Sequence, residues 1–531
     1  MKTWQNVASL YQIYPRSFRD TNGDGVGDLN GITEKLDYLA WLGVDAIWIS
    51  PFFTSPLTDF GYDIADYREI DPTFGDLEDF RTLLEKAHVL DIKVMIDLVP
   101  CHTSDQHPWF QEARSSRDNP KRDYYVWRDG RDGIEPNNWR SLSGGSSWEL
   151  DEQTGQFYLH SFLKTQPDLN WDNPAVRDEM KNVVRFWFDM GVDGMRVDAI
   201  WGISKDPEFG DDSPNPDFHG DPEAYGAFIH DHCKMGPRFQ EYLHELASIC
   251  DEYDDKQMVF EFYPDEKLGD IYQQYHKVLT AHPKASAFFM EYRQDEWHAE
   301  HVGQKIENYL RATGSARPFF CVGNHDQPRV ASRLGTERAR ALHFLNLLTP
   351  GVSVMYYGDE IGMTNGELTT EDIQDNFSPA NSVIDSRDLE RTPMQWDDTR
   401  FAGFSEVKPW LPVNKNRTFV NVNSEKSSPA SMLNLHRALL RLRQEFPIIK
   451  NGTLNIVSGT DTGNGFILGI KRELGRERAY IFINFADAPQ SFSIPENGRI
   501  LASTHPQYLL LGKDRQMTIP GYCGVILITE S

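Results

Sequence analysis

Two short segments, Gly194-Met195-Arg196-Val197-Asp198 and Met258-Val259-Phe260-Glu261-Phe262, each set a carboxylate at the end of an apolar, β-like run. A pair of carboxylates presented from strand ends suits retaining cleavage of a glycosidic bond. One attacks the anomeric carbon and the other protonates the leaving oxygen, with the two about 5 to 5.5 Å apart. A chain with 80 acidic residues offers many such pairs by chance, so the surroundings carry the weight. Asp97-Leu98-Val99-Pro100-Cys101-His102 and Gly323-Asn324-His325-Asp326 also close apolar runs, which places acid or imidazole groups at four strand termini. Arg196 precedes Asp198 by two residues, on the same face of an extended segment, where a charge-assisted hydrogen bond keeps that carboxylate ionised. Phe260 and Phe262 flank Glu261, and an apolar pocket there raises the acid's pKa by desolvation, leaving it protonated near neutrality.

The elements that must carry these groups recur along the chain. Apolar, β-branched or aromatic runs occur at Leu10 to Tyr14, Val44 to Ile49, Lys93 to Val99, Gly194 to Val197, Gln257 to Phe262, Ala285 to Met290, Pro318 to Val322 and Val352 to Tyr357. Segments of helical periodicity, such as Leu77 to Leu90 and Ala175 to Met190, separate most of them, which predicts repeated βα units and an α/β fold of (β/α)₈ barrel type. In such a barrel the site lies at the C-terminal ends of the strands, where the acidic motifs fall. Residues 104–164 break the pattern with Trp, Gly, Asn and turn signals such as Gly144-Gly145-Ser146, and read as a domain inserted after the third strand. Short alternating runs, Gly465 to Lys471 and Ala479 to Asn484, predict a C-terminal antiparallel β-sandwich over 451–531. The barrel is then expected over 1–103 and 165–450.

Bulk properties narrow the partners. A chain of 531 residues exceeds a single core, and 39% hydrophobic with 25% charged residues is the composition of a globular protein. A net charge of -27 repels nucleic acid and anionic membrane, leaving a neutral small molecule as the expected partner. The five cysteines, Cys101, Cys233, Cys250, Cys321 and Cys523, show neither a disulfide framework nor a zinc spacing. The first residues lack the apolar core of a signal peptide and no run approaches a membrane span, so a cytoplasmic location is expected.

The four strand-end motifs resemble the signature regions of the α-amylase family of glycoside hydrolases, glycoside hydrolase family 13, in that family's order. Gln166-Pro167-Asp168-Leu169-Asn170 matches a fifth region, and the resemblance extends from Tyr11 to about Trp396. It implies Asp198 as nucleophile, Glu261 as general acid/base, and Asp326 as the third carboxylate, holding two sugar hydroxyls and favouring ring distortion. His102 and His325 are then expected on hydroxyls of the same sugar, and Asp97 behind Arg196. The fifth region, with Ser386-Arg387-Asp388 and Arg391-Thr392-Pro393-Met394-Gln395-Trp396, points to the α-glucosidase and oligo-1,6-glucosidase branch. In exo-acting members an Asp and an Arg at the positions of Asp59 and Arg329 pair across the terminal glucose and close the pocket, with Tyr62 stacked beneath that glucose. Phe162 and Arg387 are further expected sugar contacts. Ala199 follows the nucleophile where Val accompanies α-1,6 preference in this branch, so α-1,4 substrates of maltose type are expected. Trp201 and the insertion Pro207 to Pro222 are expected on the aglycone side. Cys101 stands where Asn is usual before the histidine, and Phe260 where Gly is usual before the acid.

The reading that follows is a retaining exo-α-glucosidase working through a glucosyl-Asp198 intermediate, with transglucosylation as a side reaction. Alternatives on the same scaffold are an oligo-1,6-glucosidase and a sucrose- or trehalose-converting isomerase or transferase. A non-catalytic amylase-like binding subunit predicts lost carboxylates and an anchor, whereas Asp198, Glu261 and Asp326 are all present. No organic cofactor is expected. The loop Asp20-Thr21-Asn22-Gly23-Asp24-Gly25-Val26-Gly27-Asp28 has oxygen donors at alternate positions like the first half of an EF-hand, but Gly31 stands where the closing Glu belongs. It resembles instead a metal loop after the first strand of oligo-1,6-glucosidase-like members. That resemblance implies structural Ca²⁺, or Mg²⁺, on Asp20, Asn22, Asp24, Asp28 and the Val26 carbonyl.

Overall fold

Strands buried on both faces read as continuous apolar runs, and the eight runs of this sequence fold in that way. They form β1 (Ser9–Ile13), β2 (Ala46–Ile49), β3 (Lys93–Leu98), β4 (Gly194–Val197), β5 (Gln257–Phe260), β6 (Ala285–Phe289), β7 (Phe319–Cys321) and β8 (Val352–Tyr356), with every residue buried. The computed structural model describes residues 2–131, 133–291, 297–314, 316–377, 382–457, 464–508, 510–511 and 515–529. Each strand pairs in parallel with the next, and β8 closes on β1. Alternate residues divide two cores: Leu10, Trp48, Met95, Val259, Phe288 and Val354 fill the barrel interior, while Tyr11, Ile47, Ile96 and Met258 pack with the surrounding helices.

The helices have local reasons to begin and end where they do. In α1 (Leu29–Leu42) the Asp28 carboxylate accepts from the Gly31 amide, and Gly43 closes the last turn at φ 99°, a left-handed conformation suited to glycine. Asp76 and Asp79 form a reciprocal capping box on α2 (Leu77–Val89). Asn173 caps α3 (Pro174–Met190), Pro174 occupies its first position, and Gly191 ends it at φ 117°.

Between β3 and α3 the chain departs into a small antiparallel sheet in which Gln156–Leu159 pairs with both Trp127–Arg128 and Trp148–Asp151. It returns through the fifth motif, docked on the end of β3 by the bonds Leu169 N–H to Cys101 O, 2.8 Å, and Thr103 N–H to Pro167 O, 3.2 Å. After β4 a long strap, residues 204–236, folds over the same rim. Asn138 and Asp212 tie it to the inserted segment through a reciprocal pair of bonds at 2.7 and 2.9 Å. The C-terminal part contains a five-stranded antiparallel sheet and a three-stranded sheet packed around Phe482, Phe492, Met517 and Leu527. Among the described residues no helix is long and apolar enough to cross a membrane.

Candidate active site

Backbone pairing alone brings the two leading carboxylates together. Asp198 directly follows β4 and its amide donates to Leu98 O at 2.8 Å, while Glu261 directly follows β5 and its amide donates to Val197 O at 2.8 Å. Both acids therefore leave the same rim of the barrel from adjacent strands. Arg196, wholly buried, lies over the Trp48 ring and donates through Nη1 to Asp97 Oδ1 at 2.5 Å and to Asp198 Oδ1 at 2.6 Å. Its Nη2 lies 2.6 Å from Glu261 Oε1. Trp48 Nε1 in turn donates to the other oxygen of Asp97 at 2.9 Å, so the barrel interior fixes Asp97, and Asp97 fixes the arginine.

One guanidinium thus meets three carboxylates. Burial pushes the Asp198 carboxyl well above its ordinary range; Arg196 opposes this, and Glu261, Asp97 and Asp326 reinforce it. Burial likewise lifts Asp97 to about 6 despite Arg196. Arg196 favours the ionised form of Asp198, as its place two residues earlier predicts, while burial and the neighbouring acids oppose it. The surroundings of Glu261 differ from the apolar pocket expected from Phe260 and Phe262. Its carboxylate meets Arg196 and accepts from the Ala199 amide at 3.1 Å. Ala199 adopts φ 43°, the left-handed region that its small side chain tolerates.

Asp326 has the opposite electrostatics. Although burial alone raises it, His325, Arg391 and Arg387 bring its carboxyl below the ordinary value, with Arg391 Nη2 at 2.8 Å and Arg387 Nη1 at 3.5 Å. His325 receives the Gln12 amide at Nδ1, 2.8 Å, which directs its Nε2 hydrogen at Asp326 Oδ2, 3.2 Å. Burial keeps this imidazole neutral. The Tyr62 ring stacks on His325 with centroids 5.3 Å apart and planes 4° from parallel, leaving Tyr62 on the cavity wall. His102 faces the same cavity, its Nε2 3.1 Å from Tyr62 O, while its buried Nδ1 has no hydrogen-bond partner among the described residues.

The expected pair across the blind end of the pocket is corrected. Arg329 does not meet Asp59: it is buried behind the site, bonded to Tyr357 O at 2.7 Å and lying over the Tyr356 and Tyr357 rings. The partner of Asp59 is Arg387, at 2.8 Å, and Gln166 holds the other Asp59 oxygen at 2.9 Å. Asp375 anchors Arg387 from behind through two bonds, at 2.6 and 3.0 Å. Arg329 follows β7 by an irregular turn and caps the short helix Val330–Leu334, which carries it inward, whereas Arg387 comes from a distant segment that sequence proximity cannot connect to Asp59.

Asp59, Tyr62, His102, Asp198, Ala199, Glu261, His325, Asp326 and Arg387 together line a cavity of about 380 Å³, in the range of small-molecule sites. Phe162 joins them, packed between His102 at 4.9 Å and Trp201 at 5.6 Å. The rest of the wall is Leu142, Trp201, Tyr225, Lys234, Tyr263, Gln327 and Phe377. Of these the sequence signalled only Trp201; Tyr225 and Lys234 come from the strap, whose placement no local pattern specifies. The unusual Cys101 lies under the loop after β4, where a Cβ added to Gly202 would stand 2.5 Å from its sulfur.

Over residues 12–452 the chain matches the family model described as the alpha amylase catalytic domain. It belongs to the α-amylase family. It is 38% identical to an oligo-1,6-glucosidase of Parageobacillus thermoglucosidasius across 93% of both chains. It is 39% identical to a probable alpha-glucosidase of Rhizobium meliloti (strain 1021), across 93% of this chain and 91% of the relative. The crystal structure of an alpha-glucosyl transfer enzyme, XgtA, superposes with a TM-score of 0.90 at 36% identity, covering 100% of each chain. This α-amylase family chain is accordingly a glycoside hydrolase.

The loop 20–28 lies away from this cavity. Asp28 caps α1 and accepts from the Thr21 amide and hydroxyl, Asp20 accepts from the Gly23 and Gly25 amides and the Ser405 hydroxyl, and Asn22 and Asp24 each accept from the amide two residues on. These contacts order the loop as a run of Asx-type turns. Asn22 Oδ1 and Asp24 Oδ1 each accept one bond, whereas Asp20 Oδ2 and both Asp28 oxygens already accept two, and the three loop carboxylates do not all come within 4.8 Å of one another. The donors are all oxygen, the chemistry of a hard cation, and an ion there would replace some of these bonds.

Proposed function

We propose that this protein is a retaining exo-α-glucosidase that removes one terminal glucose at a time from short α-glucosides, with α-1,4 linkages favoured. The observation that carries the exo reading is the Asp59–Arg387 pair, buttressed by Gln166 and Asp375, both members of which line the cavity and in this reading bound it beyond the nucleophile. A chain end fits against that wall; a chain interior does not pass it.

In the reaction proposed, Glu261 serves as the general acid, and its proton passes to the glycosidic oxygen as the bond to the leaving sugar breaks. Asp198, oriented by Arg196, attacks the anomeric carbon from the opposite face. Asp326 and His102 take hydroxyls of the glucose, and Tyr62 offers its ring to the apolar side of the sugar. Glu261, now deprotonated, draws a proton from water, or from the hydroxyl of a second sugar, and the glucosyl-Asp198 ester is resolved with the original anomeric configuration. A sugar acceptor makes the product a transglucosylation product. Ala199, smaller than the Val that accompanies α-1,6 preference, leaves the space beside Glu261 open, which supports the maltose-type preference. Loop 20–28 is proposed to bind Ca²⁺ through Asp20, Asn22, Asp24, Asp28 and the Val26 carbonyl, where the ion's two charges would offset its three carboxylates; Ca²⁺ added to chelator-treated protein should then raise Tm by several degrees.

Maltotriose labelled at its reducing end tests the reading. Release of unlabelled α-glucose with labelled maltose, followed by NMR of the anomeric proton, is expected. Early labelled glucose, or β-glucose as the first product, overturns it.

A further inference from the structure

Asp212, His230 and Cys233 converge on the strap although they are scattered in sequence. Their ligand atoms all lie within 4.8 Å of one another, the one group of three such donors among the described residues. His230 Nδ1 stands 3.6 Å from Cys233 Sγ and 3.4 Å from Asp212 Oδ2. A tetrahedral Zn²⁺ with bonds of about 2.3 Å to sulfur and about 2.0 to 2.1 Å to nitrogen and oxygen sets these edges at about 3.6 and 3.3 Å.

Each donor is aimed by its surroundings. His230 Nε2 donates to Tyr225 O at 3.0 Å, which leaves the Nδ1 lone pair facing the cluster, the arrangement that orients metal-binding imidazoles. Asp212 Oδ1 takes the amides of His232, 2.8 Å, and Cys233, 3.2 Å, and this fixes the carboxylate. Its Oδ2 is buried, and among the described residues no N–H or O–H donor reaches it. A mixed N, O, S set is the chemistry of zinc rather than of calcium or magnesium.

We propose that Asp212, His230 and Cys233 bind Zn²⁺, with a water as fourth ligand, and that this ion pins the strap that supplies part of the cavity wall. Tyr225, whose carbonyl holds His230, and Lys234, next to Cys233, both line the cavity. Binding releases the thiol proton of Cys233 to solvent, and the metal bonds replace the contact that this proton makes in the metal-free form. The site lies outside the acid cluster and does not depend on the linkage or mode of cleavage.

The test uses the full chain, stripped with chelator, desalted and kept in excess Ca²⁺, then titrated with CoCl₂ and with ZnCl₂. A near-ultraviolet thiolate-to-Co²⁺ charge-transfer band saturating at one equivalent and displaced by Zn²⁺ is expected. Cys233→Ser should abolish the band, and Asp212→Asn should weaken Zn²⁺ binding by about tenfold or more. Cys250→Ser should leave both unchanged. Absence of the band in the folded native chain, or a band that survives Cys233→Ser, overturns the site and leaves a hydrogen-bonded triad in its place.

Discussion

The two sides of the cavity are built by different means. The side holding Asp198, Glu261, Asp326 and Arg196 consists of strand ends, and each carboxylate is fixed by ion pairs or hydrogen bonds that reach the barrel interior, as in the chain from Trp48 through Asp97 to Arg196. The side holding Trp201, Tyr225, Lys234 and Phe377 consists of loops, in which rings pack on rings and a lysine lies 5.0 and 5.2 Å from the faces of Trp201 and Tyr225. The difference assigns the tasks. A charge-dense wall tied into the barrel can hold a transition state in register, whereas an aromatic wall carried on loops is suited to contact the leaving side in the reaction proposed.

Substitutions on the two sides should differ by orders of magnitude. Asp198→Asn is expected to lower kcat/KM by about 10⁴-fold or more with little change in Tm, since the amide keeps the shape and loses the nucleophile. Comparable loss from Trp201→Ala would break the distinction. Arg387→Ala removes the charge-assisted wall opposite Asp59 and should cost about 10²-fold on maltose. The loss should exceed that of Arg329→Lys, which lies outside the cavity. Trp201→Ala is expected to raise KM for maltose about tenfold while kcat stays within a few-fold, because a lost stacking surface acts on binding. The pH profile sharpens the contrast further. Burial and acidic neighbours push Asp198 up, so the acid limb of kcat/KM should fall above the ordinary carboxylate range. Asp97→Asn removes one of those negative neighbours and should move that limb to lower pH, whereas Lys234→Met on the loop side should leave it in place.

The same division governs what could be read from the sequence. Strand ends were legible because β-branched and aromatic runs fix their own secondary structure, and an acid one residue past such a run, as at Asp198 and Glu261, inherits a position on the rim. The partner of Asp59 was not, because Arg387 reaches it across 328 positions of chain and only the folded barrel reports that approach. Arg329 lay at an attractive spacing, yet the turn after β7 buries it against Tyr356 and Tyr357. The Asp212, His230 and Cys233 cluster escaped for the same reason: no metal spacing links a residue to another 18 positions later in an irregular strap. Local pattern places what a strand carries; long-range packing places the rest.

In the proposed reaction Asp198 and Glu261 release terminal glucose from a maltose-type substrate. The most direct test of that reaction is parallel incubation with maltose, isomaltose, sucrose and trehalose, with all sugar products quantified for the native chain and for Asp198→Ala. Glucose from maltose faster than from isomaltose, and none with the variant, is the predicted result. A new disaccharide with the total number of sugar molecules unchanged, or glucose release that persists without Asp198, would contradict it.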